Sequence, residues 1–453
     1  MSVVDTTVEP PSGIGRFELR DSDAGDLLGI FMGVHALPGA IMLLHTTVGC
    51  KFKTQLQISD HDWGRESHNQ RLWTGVDDAR IIQGSGRRLV EFATTWYERR
   101  RPELFVVTTN ASVELSAFDV ASAVDELRMR LPIPVLYLKA PGHEGSLYSG
   151  YRRWLRALMP LLDPADGGDG AARSVAIGGY MMDRFEMDHA ANVNELRRML
   201  TACGLDCRGA LLDGSPWTRL RTAGRARNFI WLPDGHGVAE DAGDGRKHIE
   251  TDLPLGLNGT TVFLERLGKD LGLQSDIIES FRDRELTRAV PLINRALPVM
   301  SGARVAVFQP TALAAALTAF LVELGCEVPL VCLTDATDAS VGKFFDACGR
   351  LGTAFDDESQ PEKACLAHRP RVLAGLSRNE QYLAFVQECE REFIGLVVGT
   401  SHQKALLRRS DVRVIEMGFP CASKHWLYPT PSLGYNGAVA LVQRLVDAIM
   451  GVF

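Results

Sequence analysis

Long apolar runs are absent from this 453-residue sequence. No stretch approaches the roughly 18 apolar residues that a membrane-spanning helix needs, so no membrane partner or span is expected. An excess of basic charge is absent too. The 49 basic and 56 acidic residues leave a net charge of −7, which argues against nucleic acid or an anionic membrane surface as partner. The start, Met1 to Gly15, lacks the basic-then-apolar order of a secretory signal, and residues 1–25 read as a flexible lead-in. Cysteines at Cys-x-x-Cys spacing are also missing. The nine cysteines are scattered at 50, 203, 207, 326, 332, 348, 365, 389 and 421. Without a secretory signal, a reducing compartment is the default. The cytoplasm is expected, and disulfides are not.

Several catalytic motifs are missing as well. There is no Gly-x-x-x-x-Gly-Lys-Ser/Thr and no Gly-x-Gly-x-x-Gly after a strand, so binding of ATP or NAD by this chain is not expected. Gly84-Ser-Gly86 precedes a helical pattern and reads as an anion-binding helix start or simply as a turn. No Gly-x-Ser-x-Gly occurs. Gly145-Ser146-Leu-Tyr-Ser149-Gly150 resembles it superficially and reads better as a helix beginning after Pro141.

What is present is an ordinary globular composition, 45% apolar and 23% charged. The length suits about three domains at ~150 residues each. Apolar runs alternate with amphipathic stretches, the pattern of parallel sheets with crossover helices. Strands are expected at Leu104–Thr108, Pro134–Leu138, Ser174–Gly178, Gly209–Leu212, Asn228–Leu232, Arg304–Phe308, Val328–Leu333, Arg371–Ala374, Ile394–Val398 and Val412–Ile415. Helices are expected over Ser112–Leu131, Gly145–Leu162, Ala191–Cys203, Thr260–Leu271, Ser275–Ala296, Thr311–Leu324 and Gly437–Met450. Gly235 to Arg246 reads as a loop. The expected architecture is α/β, three tandem Rossmann-like domains with parallel sheets flanked by helices, over 26–168, 169–298 and 299–453. In such sheets, loops at the carboxyl ends of strands gather ligands.

One thiol stands apart. Cys50 ends the apolar run Ala40-Ile-Met-Leu-Leu-His-Thr-Thr-Val-Gly-Cys50, and the next cysteine is Cys203. A lone cysteine cannot close a soft-metal or iron–sulfur site, which needs about four ligands. Cys50 is thus an ordinary buried thiol, or one ligand of a cluster completed by a partner chain. Histidines 35, 45, 61 and 68 flank it, and His61, Asp62 and His68 offer a mononuclear metal site or merely a polar loop. The stretch from Met417-Gly-Phe-Pro-Cys421 through His425 to Gly437 has the aromatic, Pro and Gly content of an irregular loop over a site or interface.

Five segments, in this order, resemble the nitrogenase component 1 family. Leu44-His45-Thr-Thr-Val-Gly49-Cys50 is similar to its His-Gly-x-x-Gly-Cys turn. Val107-Thr-Thr-Asn110-Ala-Ser-Val-Glu114 is similar to its Thr-Thr-Cys-x-x-Glu segment. Ala140-Pro141-Gly142-His-Glu-Gly145-Ser146, Pro254-Leu-Gly256-Leu-Asn-Gly-Thr260-Thr261, and Gly418-Phe-Pro420 with Gly434-Tyr435-Asn-Gly437-Ala438 match three further family loops. The resemblance spans about Gly29 to Phe453. The family includes catalytic nitrogenase subunits, a cofactor-assembly scaffold pair, and nitrogenase-like reductases of tetrapyrroles and of methylthio-alkanes.

The resemblance implies a β-type subunit in an α2β2 heterotetramer with an α-type partner. A separate Fe-protein-like reductase would bind and hydrolyse ATP and deliver single electrons. Cys50 would ligate iron, with Gly49 letting the backbone approach and Thr47, Asn110 and Ser112 lying near the cluster. Catalytic nitrogenase subunits each bring three cysteines to an eight-iron P-cluster. Here the third position is Asn110, and the first falls near Val34–Leu37, where no cysteine occurs. The implied group is instead a 4Fe–4S cluster shared with the partner, with His35 as a candidate replacement ligand. A cofactor-assembly scaffold subunit and a non-catalytic α/β binding protein are the alternatives. The substrate and the catalytic residues are not legible.

Overall fold

The computed structural model describes residues 25–47, 71–77, 86–114, 119–140, 145–180, 188–240, 243–335, 339–355, 368–421, 423 and 428–451. Every residue of its first helix, α1 (Gly25–His35), is buried. A helix buried all round has no solvent face and shows no amphipathic period, so its sequence announces nothing. The six-residue strand β1 (Ala40–His45) is also wholly buried. It lies in a parallel sheet of order β2-β1-β3-β4, with β2 (Arg71–Trp73), β3 (Leu104–Thr109) and β4 (Val135–Leu138). Between these strands run α2 (Gly86–Arg100), α3 (Ala111–Glu114) and α4 (Val120–Arg130). The single helix expected over Ser112–Leu131 is therefore two. Asp119 causes the restart, because its side chain accepts from Ser122 N–H and caps α4. After β4, α5 (Leu147–Leu158) opens with a reciprocal cap between Ser146 and Ser149, so Gly145–Gly150 is a helix start.

The second parallel sheet has the order β6-β5-β7-β8. Its elements are β5 (Ser174–Gly178), α6 (His189–Ala202), β6 (Asp206–Ala210), α7 (Trp217–Leu220), β7 (Asn228–Trp231) and β8 (Lys247–Glu250). β8 falls just past the expected loop. It is an edge strand with one buried residue, Ile249, and too polar to read as a strand. Helices α8 (Gly256–Leu271), α9 (Ser275–Asn294) and α10 (Leu297–Met300) lead on.

The third sheet, of order β11-β10-β9-β12-β13, is parallel as well. It is built from β9 (Val305–Gln309), α11 (Thr311–Glu323), β10 (Leu330–Leu333), α12 (Ala339–Arg350), β11 (Arg371–Ala374), α13 (Arg378–Arg391), β12 (Leu396–Gly399), α14 (Ser401–Leu406), β13 (Arg413–Glu416) and α15 (Gly434–Met450). Three parallel sheets flanked by helices are the architecture expected. Among the described residues, no helix is long and apolar enough to cross a membrane.

Two large cores join the sheets. One runs from Val175 and Ile230 in the second sheet to Val307, Val331 and Val398 in the third. The other joins α1, α5, Met42 and Val106 to Phe229 and Trp231 of the second sheet. The opposite face of the first sheet, with Leu43, Phe105 and Val107, packs on α2 and α4.

Candidate functional site

The carboxyl edge of the first sheet is the site's frame. The register pairs Leu44 with Thr108 and Thr108 with Leu138, so β1, β3 and β4 end level with one another. Beyond β1 the chain stays tied to its neighbour. Thr46 N–H donates to Thr74 Oγ1 at 3.3 Å, Val76 N–H to the Thr46 carbonyl at 2.9 Å, and Thr47 bridges Val76. Thr47 is the last described residue before Gly49 and Cys50.

Two helices begin at the same edge. α5 follows the carboxyl end of β4. The short link from α1 to the amino end of β1 makes α1 run antiparallel to that strand, so its first turn lies at the carboxyl edge. Glycines let the two helices touch backbone to backbone. A Cβ on Gly29 would come within 1.8 Å of the Leu147 carbonyl oxygen, and one on Gly150 within 1.9 Å of the Asp26 carbonyl oxygen. The two N-termini, each favouring negative charge, are thereby set side by side. Asp26 is 1% exposed and forms an ion pair with Arg153 at 2.5 Å, while Arg153 also donates to the Lys139 carbonyl.

The two faces of the sheet differ at this edge. On the α2/α4 face the polar groups close on one another. Thr109 Oγ1 and Tyr137 O–H donate to Glu114 Oε1, and Lys139 Nζ pairs with Oε2 at 2.9 Å. Burial pushes the Glu114 carboxyl up, but the bonds from Thr109, Lys139 and Tyr137 together outweigh it and hold the group below the usual range. On the same face burial takes His45 down to about 4, so its imidazole is neutral near pH 7. On the α1/α5 face lie Leu44, Thr108 and Leu138. The hydroxyls of Thr108 and of Thr46, two residues past Leu44, are buried and have no hydrogen-bond partner among the described residues.

A model of the family described as nitrogenase component 1 type oxidoreductase matches residues 27–450. The chain belongs to that family. It is 24% identical to the β chain of the nitrogenase molybdenum–iron protein of Frankia alni, over 93% of this chain and 81% of that one. To the corresponding β chain of Methanococcus maripaludis it is 19% identical, over 93% and 92%. Among solved structures, "Nitrogenase Cp1 at pH 6.5" superposes with a TM-score of 0.76 at 16% identity, covering 96% of this chain and 94% of that one. At that identity the likeness is one of fold.

Within this component 1 chain, the expected site residues are placed as follows. Thr47 and Asn110 stand at the carboxyl ends of neighbouring strands. Asn110 is 5% exposed, and its carbonyl accepts from Val113 and Glu114 to start α3, which contains Ser112. His35 is not brought to them. It ends α1, stacked on Phe31 with ring centroids 5.4 Å apart, at the amino end of β1. Six strand residues at about 3.3 Å each separate the two levels. Val34–Leu37 lies at that far level too, and the part of α1 at the site edge is Gly25–Asp26. Gly49, Cys50, His61, Asp62, His68, Gly84 and His425 lie outside the described residues. Among the described residues no three His, Cys, Asp or Glu side chains gather as a metal site.

Gly418 and Phe419 of the late loop line a cavity of about 40 Å3 with Tyr148, Tyr180 and Pro310, where the carboxyl ends of the three sheets converge. It has room for a few waters at most. Sequence reasoning missed Asp26, Thr46 and Thr108 as site residues. For Asp26 the available signal is a carboxylate, the last of Asp21, Asp23 and Asp26, at the head of an apolar segment.

Proposed function

We propose that this chain is the β-type subunit of a nitrogenase-like, ATP-dependent iron–sulfur reductase complex. The observation that carries the reading is positional. Thr47, three residues before Cys50 in sequence, stands at an edge framed by Asn110 and two helix N-termini, in a chain whose family match runs from 27 to 450. The residues at that edge suit an anionic, acceptor-rich group. Helix N-termini stabilise negative charge, and the partnerless hydroxyls of Thr46 and Thr108 are donors in need of acceptors. An iron–sulfur cluster with thiolate ligands is such a group, and it supplies one-electron transfer when bound.

In this reading Cys50 holds one iron as thiolate, and an α-type partner brings the remaining ligands of a shared 4Fe–4S cluster. The buried run Ala40–Leu44 keeps water from that edge, and Gly49 admits close backbone approach. Asp26 carries its own counter-ion in Arg153. The Glu114–Lys139 pair stands on the other face of the sheet. Electrons arrive from a separate Fe-protein-like ATPase, and ATP binds there. The working assembly is α2β2, in a reducing cytoplasm that keeps Cys50 from disulfide formation. The resemblance to β chains of molybdenum–iron proteins supports the subunit assignment.

The test is anaerobic co-production with the α-type partner, followed by iron quantitation and electron paramagnetic resonance after dithionite reduction. The expected result is a reduced 4Fe–4S signal that disappears in Cys50→Ala. Iron transferable to an acceptor protein, without substrate reduction, would favour an assembly scaffold. A folded complex without iron would overturn the cluster reading and leave a non-catalytic binding protein.

A further inference from the structure

We infer that the side-chain hydroxyls of Thr46 and Thr108 donate hydrogen bonds to a bound group's sulfur and so set its reduction potential. This rests on the cluster reading above and deepens it. The argument starts from an asymmetry within one sheet edge. Thr109, one residue along β3, points to the opposite face and is fully engaged with Glu114. Thr108 is 0% exposed and its hydroxyl has no partner among the described residues, and the same holds for Thr46. Buried hydroxyls are nearly always bonded, because an unmet one keeps its full desolvation cost. Two such groups at adjacent strand ends mark a place where acceptors arrive with something else.

The surroundings narrow what arrives. Thr108 shares the face of Leu44 and Leu138, which is covered by α1 and α5, whose first turns meet through Gly29 and Gly150. Besides its apolar side chains, that face carries the two hydroxyls, the helix N-termini, the Asp26–Arg153 pair and the buried Arg71, whose guanidinium lies 4.6 Å over the ring of Phe31. The visitor is therefore negatively charged, rich in acceptors and tolerant of an apolar wall. Sulfide and thiolate sulfurs have that chemistry. A donor to cluster sulfur stabilises the more negative, reduced state and raises the potential. Thr46 and Thr108 are positioning residues in this scheme, since they tune the group without ligating iron.

The experiment uses the full complex with its partner. Thr108→Val and Thr46→Val keep shape and remove the donor, and Thr108→Ser restores one. Potentials come from redox titration followed by electron paramagnetic resonance, with iron content measured on each sample. The expected result is wild-type iron, a lower potential in both valine variants and recovery in Thr108→Ser. In the metal-free complex the valine variants should melt no lower than wild type, because they delete an unmet polar group. An unmoved potential at full iron content overturns this inference alone. A lower metal-free melting temperature in the valine variants also overturns it, since the hydroxyl would then be bonded within the protein. Absence of iron from the wild-type complex overturns the cluster reading itself, and the iron assay separates that failure from the others.

Discussion

Gly29 meets Leu147 so closely that any side chain on the glycine would collide with the leucine carbonyl oxygen, 1.8 Å from the Cβ position. The obstacle is backbone, so it cannot swing aside. Gly29→Ala should destabilise the chain by about 3 kcal/mol, the upper end of ordinary overpacking. The gain in helix propensity, about 1 kcal/mol, does not offset this. Gly342 in α12 is the control, because nothing stands within 4 Å of its Cβ position. Gly342→Ala should be neutral or stabilising by up to ~1 kcal/mol. Denaturant midpoints of the two variants check both statements. A Gly29→Ala midpoint equal to wild type would disprove the backbone contact.

Glu114 gives a pH signature. Its folded carboxyl is held below the ordinary range, so its bonds contribute fully above an unfolded value of about 4.3. That contribution fades as pH falls through the lower folded value. Glu114→Gln should therefore melt below wild type at pH 7, with the gap closing below about pH 4. Paired melting curves at pH 7 and pH 3.5 test it, and a gap that widens in acid would contradict the assignment.

Asn192 fastens α6 to the segment before α15. It is wholly buried, and its Oδ1 accepts from the Ser432 and Leu433 N–H groups at 2.7 and 3.0 Å. Asn192→Leu preserves bulk but strands two buried donors, at about 1–3 kcal/mol each. A loss of at least ~2 kcal/mol in urea unfolding is the expected outcome.

Thiol labelling separates cysteines by environment. Burial pushes Cys203 up to about 11 and Cys326 and Cys348 up to about 12, so none is a thiolate near neutral pH. Native-state alkylation at pH 7.5 followed by mass spectrometry should leave these three unmodified. Iron loading should protect Cys50 from reagent that reaches it in the metal-free complex. Equal Cys50 labelling with and without iron would argue against ligation.

Much of the sheet framework was legible because fully buried parallel strands, such as Val305–Gln309 and Leu396–Gly399, stand out as short β-branched and apolar runs. The helix α13 carried a readable start, Ser377-x-x-Glu380, whose reciprocal cap is present, and it was overlooked. α1 offered no such sign, since burial on all sides erases periodicity. At the candidate site, Thr47 and Asn110 came from the family motifs they match, and the structure places both at strand ends. Thr108 was not legible, because its lack of a partner depends on which face β3 turns toward α1, a matter of register. The Gly29 and Gly150 contacts likewise need a pairing of two distant helices that no local pattern encodes.

The second sheet shares one core with the first and another with the third. Phe229 and Trp231 complete the apolar interior under α1 and α5, so a fragment ending at residue 168 would expose that interior to water. The three sheets are therefore one cooperative body rather than beads on a string. Heat should melt them in a single calorimetric transition, and a disturbance in the middle sheet is felt at both ends of the chain.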